Sequence, residues 1–131
     1  MCKLKFACYY FEMAIAFARI SYHSRSQGHS AVAGAAYRAG IELKDHRTGE
    51  IHNFKNRSDV IYSEVLLPEG AARQFKNRET LWNAVEAAEA RKNSQIAKDI
   101  VFAVPGDLDL SLQIALARDF ANTHFIRDGI V

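Results

Sequence analysis

The sequence predicts an α+β domain, an antiparallel sheet with helices packed on one side of it. Three observations carry that expectation. Apolar periodicity orders the chain as β-α-β-β-β-α-β-α. Two short runs flank the polar turn Arg47-Thr48-Gly49, the mark of a hairpin. The chain has 131 residues, 49% hydrophobic and 24% charged. That is the balance of one ordinary globular domain, able to bury a core without disulfide or metal staples.

The elements follow in order. Ala14 to Tyr22 is apolar and aromatic apart from Arg19 and reads as a strand, followed by the polar loop Ser24 to His29. Ser30 is a good helix N-cap for Ala-Val-Ala-Gly-Ala-Ala-Tyr-Arg-Ala, and Gly40 is the matching C-cap. Ile41 to Leu43 and Glu50 to Phe54 form the hairpin arms. Asp59 to Leu67 alternates and is expected to be a strand, stopped by Pro68. Thr80 to Lys92 places Leu81, Trp82, Val85 and Ala88 at helical spacing, leaving Glu86, Glu89, Arg91 and Lys92 to face solvent. Ile96 to Val104 is the last strand, ended by Pro105-Gly106. Asp109 or Ser111 then caps a helix whose Leu112, Leu116, Phe120 and Thr123 share a face.

Charge is distributed unevenly beneath a net +2. Arg19 to Arg57 holds seven basic residues against three acids, and four of the five histidines; Ser58 to Val131 holds eight against eleven. The basic segment is a candidate surface for an anionic partner such as nucleic acid, or simply a solvated face. Cys2 and Cys8 lie too close to the start for a disulfide framework or thiolate metal site. Lys3 and Lys5 precede an apolar run, but Glu12 cuts it short of a secretory core. No stretch approaches the roughly 20 apolar residues of a membrane span. A cytoplasmic protein without a membrane segment is expected. Residues 1–12 read as an extension of uncertain role ahead of a natural start at Met13.

Few residues offer nucleophilic chemistry. There is no Gly-x-Ser-x-Gly elbow and no Gly-rich phosphate loop. Tyr37 stands among small side chains that let a ligand approach closely, with Arg38 beside it. Ala33, Ala36, Tyr37 and Gly40 share a face. A phenol that attacks phosphorus must lose its proton and sit near positive charge, which Arg38 and the basic segment supply. The other reading is an amphipathic tyrosine packed on the sheet with its hydroxyl in water. His23 and His29, like His46 and His52, lie six apart, which is no chelating pattern, so no metal site is expected. Glu86 and Glu89 read as solvated glutamates.

The stretch from Phe17 through Arg19, Tyr22-His23, Arg25 and Gly28-His29-Ser30 to Tyr37-Arg38-Ala-Gly40 resembles the opening of the MobA/MobL family of plasmid mobilisation relaxases. Asp59 to Pro68, Leu81-Trp82, Glu89-Ala-Arg91-Lys92-Asn93-Ser94, Asp99 to Pro105 and Ala117 to Phe120 continue it in the family's order. The resemblance covers about Met13 to Val131 and implies a partial relaxase domain with a His-hydrophobic-His relaxase-like fold, incomplete at its C-terminus. Such enzymes nick one DNA strand at a transfer origin through a tyrosine that stays joined to the 5′ phosphate, the position matched by Tyr37. Glu89 matches an acidic-then-Arg motif and is expected to position or deprotonate the tyrosine. Arg19, His23, Arg25, His29, Arg38 and Arg91 are expected DNA contacts.

The family's His…Asn-Pro-His-x-His cation motif does not occur in the sequence. A divalent cation, Mg²⁺ or Mn²⁺, is therefore expected of the full-length family domain but not held tightly by this chain. The resemblance implies single-stranded or hairpin origin DNA and other relaxosome proteins as partners. The chain is expected to be truncated before that motif and inactive alone. The alternatives are a non-enzymatic DNA-binding remnant and an interaction module that pairs through an open sheet edge.

Overall fold

The computed structural model describes residues 18–129. The expected extension 1–12 and the start of the first strand at Ala14 lie outside them. The architecture is α+β, as the sequence predicts. Strand β1 (Ala18–Ser24) leads through a short 3-10 turn to helix α1 (Ala31–Ala39). The hairpin strands β2 (Glu42–Lys44) and β3 (Ile51–Asn53) follow, then helix α2 (Arg78–Ala88), strand β4 (Gln95–Phe102) and helix α3 (Leu110–His124).

All strand pairing is antiparallel, but among the described residues it forms two separate two-stranded sheets rather than one. β1 pairs with β4 from Ala18 opposite Phe102 to His23 opposite Ala97, with an irregularity between His23 and Ser24. β2 pairs with β3 through Leu43 opposite His52. The predicted strand Asp59 to Leu67 is not a strand. Alternation is necessary for a half-buried strand but a ladder neighbour is also required. Side chains hold this segment instead: Arg118 on α3 binds Glu64 and Tyr62, and Lys76 donates to the Val65 carbonyl.

The core is small and centred on α1. Val32, Ala36 and Leu43 are buried together, with Ala35, Ile41, Phe54 and Trp82 packed against them. Small residues on α1 allow the hairpin and α2 to approach on either side, and Leu81 and Ile96 are buried nearby. α2 starts two residues earlier than predicted because Asn77, not a later residue, accepts the Thr80 N–H. It ends at Ala88, where Glu89 becomes the cap, so Arg91 and Lys92 fall in the following turn. Asp109 rather than Ser111 caps α3 by accepting from Leu112. The sheltered face of α3 matches the predicted one in part: Leu116 and Phe120 are half-buried as expected, joined by Ile114 and Ala117, while Leu112 is 53% exposed and Thr123 is exposed. Phe120 meets Phe102 of β4 edge-on at 5.0 Å and so docks the helix on the ribbon.

Gly40 closes α1 at φ +65°, its N–H reaching the carbonyls of Ala36 and Tyr37. A Cβ there would lie 3.2 Å from Val60 Cβ and Cγ2. Gly40→Ala therefore meets left-handed backbone strain of about 1–2 kcal/mol plus that contact. The expected result is a urea midpoint lowered by an equivalent amount, with an unchanged slope. An unchanged midpoint would remove the capping role.

Candidate active site

The site is built on α1, so its N-terminus comes first. A helix start leaves N–H groups unpaired and carries partial positive charge. Ser30 Oγ accepts from Ala33 N–H at 3.2 Å and donates to Asp45 Oδ2 at 2.7 Å. Ala31 N–H is bound by Glu86 Oε1 from α2. Glu86 Oε2 in turn accepts from Arg25 Nη2 at 2.7 Å and faces Arg47 Nε at 3.6 Å. The expectation that Glu86 faces solvent is overturned: it is 2% exposed. Its charge is tolerated there because one helix N-terminus and two guanidinium groups surround it.

Asp45 is fully buried beside this cluster. Desolvation alone would raise its pKa. The Ser30 hydroxyl, the Arg47 and Thr48 backbone N–H groups and the Arg47 charge more than offset that, and hold it below the ordinary carboxylate value.

Seven residues after Ser30, the last turn of α1 presents Tyr37, 43% exposed. Phe54 stands edge-on to its ring at 5.3 Å, and the Arg57 guanidinium carbon lies 3.9 Å from the ring centroid. Arg38 is more distant, at 5.6 Å, and is ion-paired to Asp99 of β4. Tyr37 borders a cleft of about 410 Å³ that also takes in His23, His29, Arg47 and His52. His23 and His29 meet edge-on at 5.3 Å. The cleft therefore gathers a phenol, three imidazoles and a guanidinium from four elements of the chain.

Of the residues expected at a site, Tyr37, His23 and His29 are brought together. Arg38 adjoins the tyrosine, although Asp99 partly neutralises it. Arg19 is exposed on β1. Arg25 is turned inward: its Nη2 donates to both the carboxylate and the backbone carbonyl of Glu86, and its N–H to the Ser94 carbonyl. Glu89 and Arg91 face each other at 3.8 Å beyond the end of α2. Neither is among the residues lining the Tyr37 cleft. Arg57, His52 and Arg47 were not singled out from sequence. The predicted hairpin was the available signal, because its return arm must come back beside Gly40 and Tyr37.

Among the described residues no three His, Cys, Asp or Glu side chains converge as a cation-binding set. His29 Nδ1 already accepts the Ser24 N–H at 3.3 Å. Among the described residues the cleft thus presents no ready-made donor set for a divalent ion. Among the described residues no helix is long and apolar enough to cross a membrane.

Comparison with known proteins bears on this cleft. Residues 29–131 match the model of the MobA/MobL family. The chain belongs to that family. It is 37% identical to the mobilization protein MobL of Acidithiobacillus ferridurans, over 82% of this chain and 28% of that protein. It is 33% identical to the conjugal transfer protein TraA of Rhizobium radiobacter, over 91% of this chain and 12% of that one. A solved structure described as the molecular basis of vancomycin resistance transfer in Staphylococcus aureus superposes with TM-score 0.79 and 37% identity. It covers 84% of this chain and 56% of its own. The chain thus spans less than a third of these two curated relatives, and the MobA/MobL match takes in α1, the hairpin and the Tyr37 cleft apart from His23 and Gly28, which precede it.

Proposed function

We propose that this chain is the nucleophile-bearing part of a relaxase domain that binds single-stranded or hairpin DNA at a transfer origin. The observation that carries this reading is the exposed Tyr37 phenol at a cleft lined by His23, His29, His52 and Arg47. Tyr37 Oη attacks phosphorus, forming a phosphotyrosyl bond to the 5′ side as the bond to the 3′ oxygen breaks. The phenolic proton passes to a base, and the leaving 3′ oxygen gains one. Imidazole is the side chain that most often serves such transfers, and the cleft offers three. Arg47 and the exposed Arg19 and Arg38 are contacts for neighbouring phosphates, a role marked by salt-sensitive affinity. Glu89 is at most an indirect support for the tyrosine in this reading, because its partner is Arg91.

A normal phosphodiester demands stabilisation of a poor leaving group, for which the described residues supply no cation set. Strand transfer by this chain alone is therefore slow, and binding is its readily measured property. The test uses a single-stranded oligonucleotide from the transfer origin of the chain's own replicon, with a 3′-bridging sulfur at the nick position. The thiolate leaves without cation assistance, so nucleophile and leaving-group defects separate. The expected results are binding that weakens as salt rises and a covalent adduct that Tyr37→Phe abolishes while DNA binding persists. An adduct undiminished in Tyr37→Phe, or no DNA binding even at low salt, would overturn the reading.

A further inference from the structure

We propose that Arg57 is the positioning residue for Tyr37, an inference that rests on the reading of Tyr37 as nucleophile and adds the group that aims it. One side chain grips this tyrosine twice. The guanidinium carbon lies 3.9 Å from the Tyr37 ring centroid, while Nη1 donates to the Tyr37 backbone carbonyl at 2.6 Å. That carbonyl sits in the last turn of α1 and also accepts the capping Gly40 N–H at 3.3 Å, so Arg57 fills its second acceptor position.

Arg57 is itself held. Its Nε donates to Asp59 Oδ1 at 3.1 Å and its Nη2 to Oδ2, so the planar fork is fixed two-fold. Asp59 also keeps the guanidinium firmly protonated. With Nε, Nη1 and Nη2 all engaged, the group is occupied as a clamp and is not an open phosphate contact. Phe54 closes another side of the ring, its plane at 89° to that of Tyr37. The phenol is thereby confined by a cation on its face and an aromatic edge, and its hydroxyl is aimed without a direct bond to it.

The backbone explains why residue 57 reaches residue 37. Phe54 N–H bonds the Ile41 carbonyl at 3.1 Å, and Arg57 N–H turns back onto the Phe54 carbonyl at 3.1 Å. Val60 then lies against Gly40. The hairpin therefore returns the chain to the C-terminal end of the tyrosine helix, and Arg57 is delivered by topology from 20 residues away. Lysine keeps the charge at this position but cannot reproduce the stack and the fork together.

A misplacement of about 1 Å at a reacting group costs on the order of 100-fold in rate. For the 131-residue chain with the sulfur-bridged oligonucleotide, Arg57→Ala is expected to slow adduct formation about 100-fold at saturating DNA. Its dissociation constant for the same DNA should stay within about three-fold of wild type. Arg57→Lys should recover less than a tenth of the lost rate, and free guanidinium should partly rescue Arg57→Ala but not wild type. A second readout needs no activity: 3-fluorotyrosine at position 37 should give one sharp fluorine resonance in wild type and a shifted, averaged one in Arg57→Ala. If Arg57→Ala does not fold, Arg57→Gln is measured in its place. An unchanged rate and fluorine spectrum, or rate and affinity falling in equal proportion, would overturn the proposal. Absence of adduct from every protein would overturn the nucleophile reading instead, and the fluorine spectra would still decide the clamp.

Discussion

Glu86→Ala is expected to lower the thermal midpoint of the chain by on the order of 10 °C or more, a loss of about 3–5 kcal/mol. The size follows from what the carboxylate satisfies. Glu86 is 2% exposed and binds Ala31 N–H at the start of the tyrosine helix, Arg25 from the turn after β1, and Arg47 from the hairpin turn. Truncation leaves a largely buried guanidinium without its counter-charge and a helix N–H without an acceptor. Glu86→Gln keeps an acceptor for Ala31 and loses the charge, so it should fall between. The pair itself is not worth the full loss, because desolvating two ions offsets much of their attraction. Arg25→Met combined with Glu86→Leu should therefore melt closer to wild type than Glu86→Ala alone, and this non-additivity is the distinguishing readout. A Glu86→Ala midpoint within about 2 °C of wild type would mean that water replaces the carboxylate without cost.

That cluster also shows where the sequence is readable and where it is not. Ser30 and Gly40 bound α1 in the structure as they do in the sequence, because caps are local chemistry repaid within a few residues. The hairpin is equally legible, its turn closed by Gly49 N–H on the Asp45 carbonyl at 2.8 Å. Glu86 is misread for the opposite reason. Its main charge partner, Arg25, is 61 residues away, and periodicity assigns any glutamate on a charged helix to solvent. Asp59 to Leu67 fails similarly, since alternation specifies a face but not whether another strand lies alongside.

The site divides along the same line. Tyr37, His23 and His29 lie close in sequence, and the short β1–α1 connection brings them to one cleft. Arg25 belongs to the same segment but is captured by α2. Arg57 and His52 arrive only through the hairpin, so they are visible from topology and not from spacing.

Asp45 supplies an acid-dependent effect whose sign is fixed by its surroundings. It is fully buried, accepts the Ser30 hydroxyl at 2.7 Å and the Arg47 N–H at 2.9 Å, and its pKa is held down in the folded chain. A depressed folded pKa means that the charged form stabilises the fold at and above the unfolded value of about 4. That contribution is lost as pH falls from there through the folded pKa. Asp45→Asn removes the charge at every pH and turns an amide toward donors already pointing inward. It should cost about 1–3 kcal/mol at pH 7, read as a lower urea midpoint. Below the unfolded value the unfolded chain takes up the proton that folded Asp45 resists, so the gap between the two proteins should narrow from pH 7 to pH 3. Glu64 and Glu79 also have lowered pKa values, set chiefly by the Arg118 side chain and the Lys44 backbone N–H respectively. They titrate alike in both proteins, so the difference between the two isolates Asp45. A gap that is the same at pH 7 and pH 3 would mean that the loss comes from packing alone. Because Asp45 orients the Ser30 cap of α1, the same acid range should loosen the helix that carries Tyr37 before the β1–β4 ribbon. Amide exchange at Ala31 to Ala33, compared with β4, reads that order directly.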